Sequence, residues 1–271
     1  MRLLVTGATG LLGRELLRLA EHEVIPAYHS QPIPDGIRLD VRRQDEVLDA
    51  IRRVRPDGII HTAFNQADWV TTADGAANIA VAAADARLVF VSTDVVFAGR
   101  AAPYDEDEPP CPVTPYGAAK AAAETAIRAI APSAVIARTS IIVGHDGRSA
   151  TERLVHAVAA GQPGAFFTGN IRCPVHVTDL ASALLELLTS DVTGVAHVAG
   201  PQALNRLELG RLIAVRDGLD PDMLPFTPGL PSDVRLDSRR TEALLKTRLR
   251  PPSEFLADRG LHLAVGQEGA R

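Results

Sequence analysis

Cysteine is nearly absent from this 271-residue sequence: Cys111 and Cys173 are the two it has. That is too few for a disulfide scaffold, and neither sits in the CxxC or Cys/His spacing of a metal site, so no metal is expected and both thiols are read as reduced, in the cytoplasm. Excess charge of one sign is missing as well. A net charge of −5, with acidic and basic residues interspersed, supplies no field for holding a polyanion or an acidic membrane surface, so neither nucleic acid nor membrane is an expected partner. Long apolar runs are lacking too. The opening "MRLLVTGATGLLG" breaks into glycines after a short apolar run, too soon for a secretion leader, and no stretch reaches membrane-spanning length. What is present, 46% hydrophobic and 23% charged residues, suits an ordinary globular chain of one large domain or two small ones.

Short apolar runs alternate with helical patterns. Residues 2–6 (RLLVT), 23–27 (EVIPA), 57–62 (DGIIHT), 87–92 (RLVFVS) and 133–138 (SAVIAR) read as strands buried on both faces. Between them GRELLRLAEH (13–22), QDEVLDAIRRVR (44–55), GAANIAVAAADA (75–86) and YGAAKAAAETAIRAI (116–130) carry helical periodicity. Strand and helix in alternation predict an α/β fold, a doubly wound parallel sheet of Rossmann type with a smaller C-terminal substrate lobe. Residues 1–143 form the expected dinucleotide-binding part, with 173–200 returning to it through the helix HVTDLASALLELL (176–188); residues 144–172 and 201–271 form the lobe. The run 101–115 reads as a solvated loop, and TEALLKTRLR (241–250) as a helix with a basic, solvated side.

The first chemical signal is VTGATGLLGREL, which sets Gly7, Gly10 and Gly13 between the first strand and the first helix. Glycines there allow a tight turn, let backbone approach a pyrophosphate and aim a helix N-terminus at its charge. Taken alone, the GxxGxxG spacing could also be no more than a strand-to-helix turn. Asp40, after a third short extended run, can accept a hydrogen bond from an adenine amino group or serve as the N-cap of the next helix. The second strand ends in IPAYHS, without the acidic residue that takes a ribose 2′-hydroxyl in NAD-selective sites. His29 and Ser30 stand there instead, as plain loop residues or, with nearby Arg14, as partners of a 2′-phosphate; the second reading favours NADP, with NAD the alternative.

Tyr116 and Lys120 are four apart in an alanine-rich helix, so both side chains can converge on one cleft, and a nearby ammonium lowers a phenol's pKa toward useful proton exchange. Upstream, FVSTDVVF puts Ser92 and Thr93 at the C-terminal end of a central strand, where open parallel sheets bind ligands. A hydroxyl there can orient a substrate carbonyl toward the tyrosine.

With these residues in view, the sequence resembles the extended short-chain dehydrogenase/reductase family, through TGATGLLG, LDV, HTA (61–63), STDVVF, YGAAK, ARTSIIVG (137–144) and CPVHVTDLASAL (173–184). STDVVF, PYDEDEPPCPVTPYG and VRLDSRRTEALL are most similar to its dTDP-4-dehydrorhamnose reductase branch. The resemblance implies Thr93, Tyr116 and Lys120 as the catalytic set, Tyr116 as acid/base and Lys120 as the group that binds the nicotinamide ribose. It implies cofactor contacts from Gly7, Thr9, Gly10, Leu11, Leu12, Gly13, His29, Ser30, Asp40, Val41, Thr62, Ala63, Phe64 and Ser92, with Arg138, Thr139 and Ser140 near the nicotinamide end. The implied reaction is reduction of a ketone, a nucleotide-linked 4-keto sugar being the implied substrate class, in a homodimer that pairs through the flat alanine-rich helices. Val95 stands where the branch carries an aromatic residue and where a dehydratase would need the second member of an acid/base pair after Asp94. An epimerase, or an NADP-binding regulatory subunit resembling that of methionine adenosyltransferase, are the other implied roles. His176 reads as a structural histidine and Cys111 as loop filler; Trp69 fits substrate stacking or lobe packing equally.

Overall fold

The computed structural model describes residues 1–83, 86–229 and 231–257. Six strands, β1 (Arg2–Thr6), β2 (Glu23–Tyr28), β3 (Ile37–Arg38), β4 (Gly58–His61), β5 (Arg87–Thr93) and β6 (Val135–Thr139), join the strand Gly194–Val198 in one sheet. Its order is Gly194–Val198, β6, β5, β4, β1, β2, β3, with every pair parallel. The chain builds outward from β1 in one direction through β3, then crosses back to β4 and builds the other way. Ligands bind at such a reversal, beyond the carboxyl ends of the strands.

The apolar runs are nearly continuous because both faces of the sheet are covered. Side chains alternate along β1: Leu3 and Val5 enter the core under α1 (Leu11–Leu19) and α6 (Val177–Thr189), while Leu4 enters the opposite core, under α2 (Gln44–Val54), α3 (Gly75–Ala82) and α4 (Pro115–Ile130). The helix starts follow local chemistry. At α4 the Thr114 hydroxyl accepts the Gly117 N–H at 3.0 Å and Pro115 begins the first turn, where its missing N–H costs nothing.

A second body of structure gathers α5 (Ala150–Ala159), α7 (Arg206–Arg216) and short strand pairs around Val155, Phe166, Leu209 and Ile213. Capping boxes start both helices, Ser149 with Glu152 and Asn205 with Glu208. Arg216 reaches back from α7 to Glu152 at 2.8 Å and to the Gly144 carbonyl at 3.0 Å. Among the described residues, no helix is long and apolar enough to cross a membrane.

One strand went unread and three expectations change. Within the returning segment 173–200, residues 194–198 join the sheet as an edge strand, although Gly194 and His197 interrupt the apolar pattern; the buried His197 faces Arg138 across the pairing. The helix expected over 241–250 is one turn, Arg239–Glu242, because the Glu186 carboxylate takes the Lys246 and Thr247 N–H groups and pulls the chain out of helix. The loop 101–115 is anchored: Tyr104 is buried, stacks on Phe97 at 3.9 Å and bridges to Leu236, and the Glu106 carboxylate accepts the Thr241 hydroxyl. The helix expected over 75–86 is preceded by a π-helical turn, Val70–Asp74, and ends at Ala82; residues 84–85, like the last stretch of the expected lobe, 258–271, lie outside the described residues.

Candidate active site

A cleft of about 520 Å³ opens at the reversal point, lined by the ends of β1, β2 and β4 and the chain after β3. Of the residues expected to hold a cofactor, Gly7, Thr9, Gly10, His29, Ser30, Asp40, Val41, Thr62, Ala63 and Phe64 line it. Gly7 has φ +67°, and a Cβ there would stand 2.7 Å from the Thr62 hydroxyl and 2.9 Å from the Ala63 nitrogen. At Gly13 a Cβ would stand 2.3 Å from the Gly7 carbonyl oxygen. The turn therefore needs glycine at both places. No side chain caps α1, whose N-cap is Gly10, so the first-turn N–H groups of Leu11, Leu12 and Gly13 are left for an anion beyond the helix end. A dinucleotide pyrophosphate fits this cradle.

At the other end of the cleft Asp40 is held by a residue the sequence reading passed over. Arg42 grips its carboxylate from Nε at 2.8 Å and Nη2 at 2.7 Å and lies 3.4 Å from His29 Nε2. These hydrogen bonds bring the Asp40 pKa down to about 2. The N-cap of α2 is Arg43, so Asp40 does not cap that helix. Arg14, the guanidinium expected near a 2′-phosphate, instead donates to the Thr9 carbonyl at 2.7 Å, and it is Arg42 that lines the cleft beside His29 and Ser30. Nothing in the residues after LDV sets Arg42 apart from its neighbour Arg43, which pairs with the exposed Asp45 instead.

Beyond Phe64 lie the three expected catalytic side chains. The Phe64 ring is 5.8 Å from the Tyr116 ring and 5.4 Å from Lys120 Nζ, so one residue of the cleft wall touches both. The Thr93 hydroxyl, at the end of β5, is close enough to the Tyr116 phenol to favour its ionised form. Lys120, 2% exposed, donates to the Val91 carbonyl at 2.8 Å and lies 4.6 Å from the Phe90 ring centre. Burial, partly offset by Glu124, draws its pKa down to about 7. The expected lowering of the phenol's pKa by Lys120 is absent: burial first, then the charge of Asp94, push Tyr116 well above the ordinary tyrosine value.

Four other expected residues have their side-chain polar atoms bonded to partners within the protein. Ser92 donates to Glu124 Oε1 at 2.6 Å, and Arg138, fully buried, pairs with Glu124 Oε2 at 2.8 Å, so both reinforce α4 behind Lys120. Thr139 donates to the Val198 carbonyl at 2.7 Å and Ser140 to Asp94 Oδ2 at 2.6 Å. The period-two alternation of β5 and β6 explains the first two: Ser92 and Arg138 pair across the strands and point to the same helix layer. His176 caps α6 by accepting the Thr178 N–H at 3.3 Å, its pKa lowered by burial to about 4. Cys111 is exposed and Cys173 buried, both free; Trp69 is half-exposed where the π-helical turn begins. Among the described residues, no group of three or more His, Cys, Asp or Glu is placed to hold a metal ion.

Comparison with known proteins gives the family. Residues 1–251 match the family described as RmlD substrate binding domain. The dTDP-4-dehydrorhamnose reductase of Mycolicibacterium smegmatis is 30% identical over 279 residues, covering 95% of this chain and 84% of that protein. A hypothetical dTDP-4-dehydrorhamnose reductase from Sulfolobus tokodaii superimposes with a TM-score of 0.82 at 33% identity, covering 92% of this chain and 97% of that one. The dTDP-4-dehydrorhamnose reductase of Bacillus anthracis str. Ames, solved in complex with NADP, superimposes with a TM-score of 0.83 at 25% identity, covering 94% and 97%. With a glycine cradle, a Tyr/Lys/Thr set at its inner end and these relatives along nearly its whole length, the chain belongs to the RmlD family of dTDP-4-dehydrorhamnose reductases, within the extended short-chain dehydrogenase/reductases.

Proposed function

We propose that the chain reduces a nucleotide-linked 4-keto sugar with NADPH, Tyr116 giving its proton to the carbonyl oxygen. The observation that carries this reading is that Phe64, in the wall of the glycine-lined cleft, stands against both Tyr116 and Lys120, with Thr93 acting on the Tyr116 phenol. When bound, the nicotinamide supplies hydride to the ketone carbon. The Thr93 and Tyr116 hydroxyls hold the carbonyl oxygen between them, and Tyr116 hands over its proton as negative charge grows there. Lys120, beneath Tyr116, meets the nicotinamide ribose. At the far end Arg42, with His29 and Ser30, takes the 2′-phosphate, a charge-assisted contact that sets NADPH above NADH.

Arg206, at the start of α7, supports a diphosphate-bearing substrate. Its hydrogen bonds go to the neutral Asn170 and Thr151 at 3.3 and 3.4 Å, and burial lowers its pKa to about 10, an arrangement that gains from an anionic ligand. The dinucleotide is held by residues 1–143 with 173–200, and the substrate by the lobe of 144–172 and the residues after 201. Val81 of α3 and Ile130 of α4 are exposed apolar residues on the alanine-rich helices, and they support a homodimer through that face, in the cytoplasm where Cys111 and Cys173 stay reduced. A monomeric mass in sedimentation at micromolar concentration counts against the dimer.

The test of the reaction is consumption of NADPH by purified protein with dTDP-4-dehydrorhamnose and related nucleotide-linked keto sugars. Stoichiometric NADP⁺ release supports the reading. Interconversion of sugars without net NADPH loss replaces it with epimerisation, and binding without turnover replaces it with a regulatory role.

A further inference from the structure

Asp94 follows Thr93 at the end of β5 and is 2% exposed. Oδ1 lies 3.2 Å from the Thr93 hydroxyl and 2.7 Å from Arg172 Nη1, and Oδ2 accepts the Ser140 hydroxyl at 2.6 Å. Both the Asp94 charge and the Thr93 hydroxyl bonded to it act on the Tyr116 phenol, so a carboxylate stands within electrostatic reach of the group that gives up the proton. Arg172 comes from the strand Asn170–Arg172 and is itself 8% exposed.

We propose that Arg172 is a positioning residue for proton transfer: its guanidinium offsets part of the charge of Asp94 next to the Tyr116 hydroxyl, so that the phenolate left by proton donation is repelled less. The proposal rests on Tyr116 being the proton donor.

The charges around Tyr116 can be taken element by element. From β5 comes Asp94, and from α4 Lys120, whose amine bonds the Val91 carbonyl. Glu124 lies behind Lys120 and is itself bound by Arg138 and Ser92. The strand 170–172 supplies Arg172, and α7 supplies Arg206, which feels both Arg172 and Asp94 and bonds Asn170 and Thr151. The wall contributed after β4 is the uncharged Phe64. Asp94 is thus the anion that bears directly on the phenol, and Arg172 is the cation in contact with it. An uncompensated carboxylate at this range raises a phenol's pKa by about one unit or more. The same ion pair ties the strand 170–172 to the sheet, so loss of stability alone cannot distinguish a locking role from an electrostatic one.

Titration of the phenol distinguishes them. The full chain is prepared with trifluorotyrosine in place of tyrosine, which brings the phenols into an accessible pH range, and followed by ¹⁹F NMR, with the Tyr116 signal assigned by its loss in Tyr116→Phe. Arg172→Met raises the Tyr116 midpoint by about one pH unit, a tenfold change in proton affinity, and Asp94→Asn lowers it; in the double variant the rise disappears. A midpoint unmoved in folded Arg172→Met, or a rise that persists in the double variant, overturns the proposal. If Arg172→Met does not fold, an unmoved midpoint in Asp94→Asn overturns it equally. The titration uses no substrate. Absence of NADPH oxidation by the wild-type chain with dTDP-4-dehydrorhamnose therefore sinks the reductase reading separately, while in an active enzyme the pH limb of kcat moves with the NMR midpoint.

Discussion

The Arg138 guanidinium and the Glu124 carboxylate meet with both side chains fully buried, Nη2 to Oε2 at 2.8 Å, and the same carboxylate also takes the Ser92 hydroxyl and the Arg128 guanidinium. Removing one member of such a group strands the others. Glu124→Ala is expected to lower unfolding stability by about 3–5 kcal/mol, because Arg138 would remain charged and unpaired in the core. Urea denaturation of the two proteins measures it, and a loss below about 1 kcal/mol would show that water reaches Arg138.

Tyr116→Phe removes one oxygen from a side chain that makes its ring contact through Phe64. Ketone reduction is expected to fall by at least about 100-fold, the usual contribution of a positioned acid, with NADPH affinity within about threefold of wild type. Steady-state kinetics together with fluorescence titration of NADPH separate the two effects. Turnover retained near the wild-type rate would place the proton donor elsewhere.

Lys120 gives a pH signature. Its folded pKa near 7 lies below the ordinary lysine value of 10.5, so between those limits the unfolded chain binds more protons than the folded one. Stability contributed at this site therefore rises with pH through that window, by up to about 1.4 kcal/mol per unit, and below about pH 7 the full penalty of burying the ammonium applies. Lys120→Met should abolish that slope. Denaturation curves for both proteins at pH 7, 8 and 9 test it, parallel slopes being the adverse result.

Arg42→Ala addresses cofactor choice. Loss of a charge-assisted contact to a 2′-phosphate is expected to raise the KM for NADPH by about 10–100-fold and leave that for NADH within about threefold. Equal loss for both cofactors would mean that Arg42 serves to hold Asp40 in place.

Much of this was legible in the residues. The five apolar runs read as strands fall within two residues of β1, β2, β4, β5 and β6, since burial on both faces leaves an uninterrupted hydrophobic pattern. The edge strand Gly194–Val198 was not legible, because its pairing depends on β6 and on the Thr241 hydroxyl, which accepts the His197 N–H. The glycine cradle could be read from spacing. Arg42 could not be told from any solvated arginine until the fold set it beside His29. The direction of the Tyr116 shift was also hidden: helical spacing puts Lys120 on the same face, whereas the charge that governs the phenol, Asp94, comes from another element.

The late arrival of residues 177–198 bears on how this protein can be made. β6 ends at Thr139, yet the strand that covers its outer edge begins at Gly194, and α6, which covers one face of the sheet, begins at Val177. A ribosome-bound chain that has finished β6 carries a bare row of amide and carbonyl groups beside an uncovered apolar surface, a template for sticking to its neighbours. Truncation near residue 143 would freeze that state, so the nucleotide-binding half cannot be cut out as a soluble fragment at that point.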